Sequence, residues 1–267
     1  MKRVITGIVG LAVLFSVTLS PPIVLQIGVA LVTIIGLLEM YRALELTKKS
    51  VLPVLGLYFA GLTLASMEKI LPLDWHGTYI LFFSGFLFSC IVCVLKYGKV
   101  HFADVAITIL LSVILPLFFG AIPYVRGYSD GHFLIYYIFA CAWAPDTLAY
   151  FFGKFFGKKK LCPVLSPKKT VAGSIGGVLG GVLGGAILYA VLYFAFGYGD
   201  FTLPMALGFG FLAGIVSQFG DLTFSSIKRD FNIKDYGTIM PGHGGVMDRF
   251  DSIVFVAPCF VAYLWLM

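Results

Sequence analysis

The sequence predicts an all-α, polytopic integral membrane protein with about nine transmembrane helices and a cytoplasmic N-terminus. Three observations lead to this fold class. Of the 267 residues, 60% are hydrophobic and only 12% are charged, whereas a soluble domain carries about 25% charged residues. Apolar runs of roughly 20 residues, long enough to cross a bilayer as helices, recur along the whole chain. Lysine and arginine mark alternate connections between these runs.

The apolar runs define the helices in order. The first run follows Met-Lys-Arg and lacks a small-residue cleavage site ahead of a polar mature domain, so we expect a retained helix rather than a signal peptide. Ser20-Pro21-Pro22 separates the first helix from the second, and a short polar turn beginning at Gly197 separates the seventh from the eighth. The predicted helices are residues 4–20, 22–44, 51–67, 76–96, 102–122, 133–153, 172–197, 201–227 and 248–267.

The distribution of basic residues predicts the orientation. With a cytoplasmic N-terminus, every one of the 19 lysines and arginines except Lys69 and Arg126 falls in a cytoplasmic segment. The positive-inside rule predicts this bias, and a missed or extra span would destroy it. The net charge of +6 is then a property of the cytoplasmic face, where it could attract anionic lipid headgroups or an anionic substrate.

The chain divides into two regions by content. Residues 1–130 hold about five ordinary spans joined by short loops. Residues 131–267 hold nearly all of the polar residues at membrane depth and two long cytoplasmic loops. We therefore expect an N-terminal transmembrane region followed by a C-terminal catalytic transmembrane region.

Four aspartates in the C-terminal region are candidate metal ligands, because ionisable side chains at membrane depth are costly and usually functional. Asp146 follows Pro145 in the sixth span, Asp221 lies in the eighth, and Asp248 and Asp251 open the ninth. The helical face that carries Asp221 also carries Gln218, Ser225 and Lys228. Two carboxylate-bearing faces beside one loop could share Mg²⁺, a hard cation that prefers oxygen ligands. The alternative is that these carboxylates neutralise nearby lysines and arginines.

A fifth carboxylate, Glu39, lies near the cytoplasmic end of the second span. Arg42 follows it one helical turn later. We therefore expect a structural ion pair between Glu39 and Arg42.

The loop between the sixth and seventh spans has six lysines within sixteen residues. Lys168 and Lys169 precede a predicted helix with Thr170 as its N-cap, and lysines beside a helix N-terminus favour phosphate binding. Residues 158–160 are instead typical of a solvated cytoplasmic loop. The following glycines recur every four residues, a spacing that lets helix backbones pack closely; they are Gly173, Gly177, Gly181 and Gly185, with Gly176, Gly180 and Gly184.

The stretch SSIKRDFNIKDYGTIMPGHGGVMDRFDS, residues 225–252, resembles the signature of phosphatidate cytidylyltransferases, also called CDP-diacylglycerol synthases. Upstream, DTLAYFFGKFFGKKKL and SPKKTVAGSIGG also resemble this family, so the strong similarity covers about residues 144–252. Met240 stands where the family has Leu, Ile or Phe, and Ala172 where it often has Glu. The matching positions are Ser225, Lys228, Arg229, Lys234, Asp235, Gly237, Pro241, His243, Gly244, Gly245, Asp248, Arg249 and Asp251.

The resemblance implies the conversion of CTP and phosphatidic acid into CDP-diacylglycerol and pyrophosphate. It implies Mg²⁺, with a second cation left open, and a homodimer in the cytoplasmic (inner) membrane whose active site faces the cytoplasm; no nucleic acid is expected as a partner. We expect catalytic roles for His243, Lys228, Arg229 and Arg249. We expect substrate binding by Ser166, Lys168, Lys169, Thr170, Ser225, Lys234, Gly244 and Gly245. We expect metal binding by Asp221, Asp248, Asp146 and Asp251.

Two other classes of function compete with this one. A transporter also has charged residues at membrane depth and broken helices, but it should show paired repeats and charges in both halves. A CTP-dependent lipid kinase, or a cytidylyltransferase that acts on a different lipid phosphate, shares the same composition. Only the signature argues against these last two.

Overall fold

The computed structural model describes residues 2–49, 51–67, 74–239 and 244–267, apart from the side chains of residues 2–6 and 8. Within these ranges the chain is almost entirely helical, and each of the nine predicted helices is present with ends within a few residues of the prediction. The helices are α1 (Lys2–Leu19), α2 (Pro22–Ala43), α3 (Val51–Met67), α4 (Trp75–Leu95), α5 (Phe102–Phe119), α6 (Ala121–Arg126), α7 (Gly131–Phe156), α8 (Val171–Phe196), α9 (Leu203–Asp230) and α10 (Met247–Leu266). A 3₁₀ turn, Leu46–Lys48, follows α2.

Six helical segments in the described ranges are long and apolar enough to cross a membrane. They are Pro22–Ala43, Trp75–Leu95, Phe102–Arg126, Val171–Phe196, Leu203–Asp230 and Met247–Leu266. The apolar part of α1, Val9–Leu19, and helix α3 are shorter, and α7 is not among the six. The all-α polytopic fold class is therefore confirmed, whereas the count of nine spans and the cytoplasmic N-terminus stay predictions.

Two local features depart from the predicted order of helices. The fifth helix ends at Phe119 rather than at residue 122, and the short helix α6 follows it. The loop between α7 and α8 contains an antiparallel β-hairpin, with β1 at Lys160–Cys162 and β2 at Ser166–Thr170. The sequence predicts only a loop for this connection, whereas the structure shows that its backbone groups pair with each other across the turn.

The chain divides into two compact units. The first contains residues 1–120 together with residues 235–247. In it, Tyr41 of α2 is fully buried and its hydroxyl hydrogen-bonds Ser112 of α5. At the start of α5, Asp104 forms an ion pair with Lys49 and also accepts a hydrogen bond from the backbone N–H of His101 at 2.8 Å.

The second unit contains residues 121–234 and 248–267. Its helix α8 lies between α7 and α9 and runs antiparallel to both, and glycines line both of its packing faces. A Cβ atom at Gly180 would lie 2.7 Å from the carbonyl oxygen of Ala144 in α7, and one at Gly181 would lie 2.9 Å from the Cα of Gly214 in α9. The prediction that these glycines serve close helix packing is confirmed.

Helix α10 packs antiparallel against α9 in the same unit. Near the end of α10, the Tyr263 hydroxyl donates a hydrogen bond to the carbonyl oxygen of Met205 at 3.0 Å. In the first half of α10, the backbone at Asp251 lies close to Gly220 of α9. A Cβ atom added at Gly220 would lie 2.8 Å from the carbonyl oxygen of Asp251. This approach brings the aspartates at the start of α10 beside the face of α9 that carries Asp221.

Candidate active site

The site is built around aspartates that three different helices contribute. Asp146 lies on α7, Asp221 on α9, and Asp248 and Asp251 on α10. The charge of Asp221 acts on both Asp146 and Asp251, and the charge of Asp146 also acts on Asp251. The structure therefore brings these three predicted ligands into one electrostatic cluster, although their helices are far apart in the sequence.

Lys169 connects the β-hairpin to this cluster. Its ammonium lies 2.6 Å from Oδ2 of Asp221, with the two side chains 24% and 28% exposed. The hydroxyl of Ser225, one turn further along α9, donates a hydrogen bond to Oδ1 of the same aspartate at 3.3 Å. Two predicted substrate-binding residues, Lys169 and Ser225, thus hold the two oxygens of one predicted metal ligand.

A second lysine–aspartate pair joins α9 to α10. The Lys228 ammonium lies 2.9 Å from Oδ1 of Asp248, and the two side chains are only 13% and 3% exposed. Breaking a pair this deeply buried by removing one partner usually costs about 3–5 kcal/mol. The pair therefore fixes the first turn of α10 against the last turns of α9.

The β-hairpin orients the remaining residues of the α7–α8 connection. The Thr170 hydroxyl accepts a hydrogen bond from the N–H of Gly173 at 3.0 Å, which confirms Thr170 as the N-cap of α8. The backbone N–H of Val171 also bonds the carbonyl oxygen of Lys159 at 3.0 Å. Ser166 begins strand β2 and is half-buried, whereas Lys168 on the same strand is exposed.

Three further basic residues of the predicted site are exposed: Arg229, Lys234 and Arg249. Arg229 donates a hydrogen bond from Nε to the carbonyl oxygen of Leu165 in the hairpin turn, at 3.5 Å. The charge of Arg249 acts on Asp146. These exposed cations are placed where an incoming anion can replace water around them.

The glycine-rich end of the signature lies in the first unit. His243, with residues 240–242, lies outside the described residues, so its predicted catalytic role stays a prediction. Gly244 has φ +85°, a left-handed conformation that suits glycine. Gly245 is buried against Glu39 of α2.

Glu39 is the residue whose role the sequence misjudged. Its carboxylate accepts hydrogen bonds from the backbone N–H groups of Val246 and Met247. Among the described side chains, Glu39 forms no ion pair with Arg42, which is exposed. The expected pair was wrong because the backbone amides at the start of α10 compete for the carboxylate. The one sequence signal for a special role of Glu39 was that a carboxylate lies at membrane depth. The sequence does not indicate a partner more than 200 residues away.

The four aspartates can be compared with the ligands that Mg²⁺ requires. In the described part of the chain, no group of three or more His, Cys, Asp or Glu side chains is already arranged around a common ion position. The chemistry of the donors nevertheless fits a hard cation, since all are carboxylate oxygens. Asp146 and Asp251 form no ion pair with any described residue, and the negative charge of Asp221 acts on both of them. A divalent cation would relieve this repulsion.

Comparison with known proteins gives a consistent result. A model of the cytidylyltransferase family matches residues 1–267. A phosphatidate cytidylyltransferase of Staphylococcus aureus (strain COL) is 35% identical over 263 residues, covering 96% of this chain and 95% of that protein. One of Staphylococcus haemolyticus (strain JCSC1435) is 32% identical over 260 residues, again with 96% and 95% coverage. This chain therefore belongs to the cytidylyltransferase family.

Proposed function

We propose that this chain is a phosphatidate cytidylyltransferase, which makes CDP-diacylglycerol and pyrophosphate from CTP and phosphatidic acid. The observation that carries the proposal is the cluster of Asp146, Asp221 and Asp251, with Lys169 paired to Asp221 and Lys228 paired to Asp248. Such a set of oxygen donors and ammonium groups suits a reaction between two polyanions. The full-length match to the family and to the staphylococcal relatives supports the same reaction.

The chemical step needs positioning more than it needs a strong base. Phosphatidate is a phosphomonoester and is already anionic near neutral pH, so one of its oxygens can attack the α-phosphorus of CTP directly. The bond between the α-phosphorus and the bridging oxygen then breaks, and pyrophosphate leaves with the bonding electron pair. The barrier lies in bringing two anions together and in stabilising the charge on the leaving group.

Basic side chains of the site supply this stabilisation. Lys168 and Lys169 of the hairpin, Arg229 of α9 and Arg249 of α10 would bind the phosphates of CTP and phosphatidate. Lys169 already contacts the aspartate cluster, so a phosphate bound by Lys169 would lie beside Asp221. Lys234 and the backbone of residues 244–245 are further candidates for contacts with the nucleotide.

The four aspartates would hold Mg²⁺, and the bound ion would neutralise charge that develops on the pyrophosphate. The structure offers oxygen donors from α7, α9 and α10 for this purpose. This assignment predicts that Asp221 and Asp248 lose their lysine partners when the ion and the substrates bind.

An apolar groove beside the same region would suit an acyl chain of the lipid substrate. A groove between the hairpin, α8 and α9 is lined by Leu161, Val178, Ile215 and Leu222, with Gln218 among its polar residues. Gln218 lies one turn before Asp221 on α9. An acyl chain in this groove would leave its headgroup near the aspartate cluster.

The proposal includes a location. The basic loops of this chain favour a site on the cytoplasmic side, where CTP is found, by the positive-inside rule. Because the relatives come from bacteria, the proposed location is the cytoplasmic membrane. A homodimer is part of the same proposal and rests on the family resemblance alone.

Labelled CTP tests the reaction. Purified protein with phosphatidate, Mg²⁺ and CTP labelled on the α-phosphate should place the label in the lipid fraction, and label on the γ-phosphate should appear in pyrophosphate. A CTP-dependent lipid kinase gives γ-label in the lipid and α-label in CDP, and a transporter incorporates neither. Either of these outcomes would overturn the proposed function.

A further inference from the structure

Glu39 of α2 is a buried carboxylate that binds a distant part of the backbone. Only 1% of the residue is exposed. Its Oε1 accepts a hydrogen bond from the N–H of Val246 at 3.0 Å, and its Oε2 accepts one from the N–H of Met247 at 2.9 Å. One side chain therefore holds two successive amides that lie more than 200 residues away in the sequence.

The segment before α10 leaves room for this carboxylate. A Cβ atom at Gly245 would lie 2.5 Å from each carboxylate oxygen of Glu39, and a Cβ at Gly237 would collide with Oε1. One turn earlier on α2, Gly36 makes room for Met247, whose Sδ would lie 2.6 Å from a Cβ there. Glycines on both sides thus allow α2 and the signature segment to approach closely.

The two amides belong to the start of α10. The first N–H groups of a helix lack acceptors within the helix, and a negative charge at this end is favourable. Most helices meet this need with a local Ser, Thr, Asp or Asn just before the first turn. Here the acceptor is a carboxylate from another helix, although burying a charge is costly unless it is well bonded. A local cap would have sufficed if only the stability of α10 were at stake.

We propose that Glu39 is a positioning residue for nucleotidyl transfer, because it sets where α10 begins. Met247 is followed directly by Asp248 and Arg249, and Asp251 comes one turn later. Fixing the amides of Val246 and Met247 fixes the register of the helical turn that carries these three side chains. The same bonds keep these two amides away from the phosphates of CTP, which helix N-termini otherwise attract. This inference rests on the proposed function.

The test replaces the charge while keeping the shape. In Glu39→Gln, one of the two acceptor oxygens becomes an NH₂ group, which cannot accept from an N–H. The matched control is Glu45→Gln, which removes an exposed glutamate paired with Lys48 just beyond the end of α2. Two measurements are made on protein in detergent: amide hydrogen exchange of the peptide that covers residues 244–250, and steady-state kinetics with CTP and phosphatidate.

In Glu39→Gln, the amide hydrogens of residues 246 and 247 should exchange about tenfold faster than in the unmodified protein, or faster still. The kcat of this variant should fall by about 10–100-fold, in line with the loss of a hydrogen bond to a charged group, while KM for CTP changes by less than about threefold because the two amides do not bind the nucleotide. Glu39→Asp keeps the charge with a shorter reach and should recover part of kcat. Glu45→Gln should match the unmodified protein in both measurements.

Two results would overturn the inference. Unchanged exchange in Glu39→Gln would mean that the carboxylate does not hold these amides. Faster exchange with an unchanged kcat per folded protein would mean that Glu39 only stabilises the fold. If Glu39→Gln does not fold, the same criteria apply to Glu39→Asp. The exchange result does not depend on turnover, so it stays separate from the labelled-CTP experiment, which alone decides the proposed function.

Discussion

Asp221→Asn separates two roles that the structure gives to one side chain. Asp221 forms an ion pair with Lys169 at 2.6 Å, and its charge also acts on Asp146 and Asp251. If the carboxylate only neutralises Lys169, its loss should resemble the loss of the lysine. If it is a metal ligand, its loss should be far more damaging to catalysis than to the fold.

The structure gives the expected cost in stability. The paired side chains are about a quarter exposed, between an exposed pair, worth about 0–1 kcal/mol, and a buried one, which costs about 3–5 kcal/mol to break. We expect Asp221→Asn and Lys169→Gln each to lower the free energy of unfolding by about 1–2 kcal/mol. Asp104→Asn is the matched control, since Asp104 pairs with Lys49 in the other unit at similar exposure, 20% and 26%.

Asp221→Asn and Lys169→Gln should differ in activity although they lose a similar amount of stability. Removing a charged ligand should cost several kcal/mol of transition-state stabilisation, so Asp221→Asn should lose about 10³-fold or more in kcat. Lys169→Gln should lose only about 10–100-fold, because other cations of the site still bind the phosphates. Asp104→Asn should keep its specific activity. The assay is CDP-diacylglycerol formation at a series of Mg²⁺ concentrations, with thermal unfolding measured on the same preparations.

If Asp221 is a metal ligand, the two variants should also differ in their dependence on Mg²⁺. Asp221→Asn should raise the Mg²⁺ concentration needed for half-maximal activity, and Lys169→Gln should not. Equal losses of activity in the two variants, together with an unchanged Mg²⁺ dependence, would refute the reasoning and leave Asp221 as a neutralising partner of Lys169.

Two further predictions concern the membrane topology and helix packing. Single cysteines at positions 160, 235 and 130 in a cysteine-free background should show 130 labelled by an impermeant thiol reagent on intact cells, with 160 and 235 protected; the reverse pattern would contradict the proposed orientation. Gly181→Ala should lower the free energy of unfolding by about 1–3 kcal/mol, because its Cβ would lie 2.9 Å from the Cα of Gly214. Gly61→Ala, whose added Cβ would meet no atom within 4 Å beyond the adjacent backbone of its own helix, should instead stabilise by about 0.5–1 kcal/mol. Equal shifts of the unfolding temperature in the two variants would contradict the packing argument.

The sequence predicted features that local physics determines. Helix ends follow from the length of the apolar runs and from residues such as Pro22 and Thr170, whose effects act within one turn. The packing role of the α8 glycines follows from their four-residue spacing, since only small residues at that spacing allow such a close approach. In each case the signal lies within a few residues of its effect.

Features that depend on residues far apart in the sequence were harder to predict. The β-hairpin at 160–170 needs a register between two short strands, and its lysine-rich sequence has no β-branched run to indicate one. The pairing of Lys169 with Asp221 joins the β-hairpin to α9, two segments that are about 50 residues apart in the sequence. The choice of Glu39 between Arg42 and the amides of α10 depends on tertiary packing alone, because both partners are chemically suitable.

The pairing of lysines with aspartates has a physical consequence for the proposed reaction. A site that binds two polyanions needs excess positive charge, yet isolated charges at membrane depth are costly. Lys169 and Lys228 meet both requirements if Asp221 and Asp248 neutralise them while no substrate is bound. In the proposed reaction, the phosphates of the substrates would give the lysines stronger anionic partners, and the aspartates would become available to a cation. Under the proposed function, the same four side chains would therefore stabilise the fold in the free protein and bind substrate and ion during turnover.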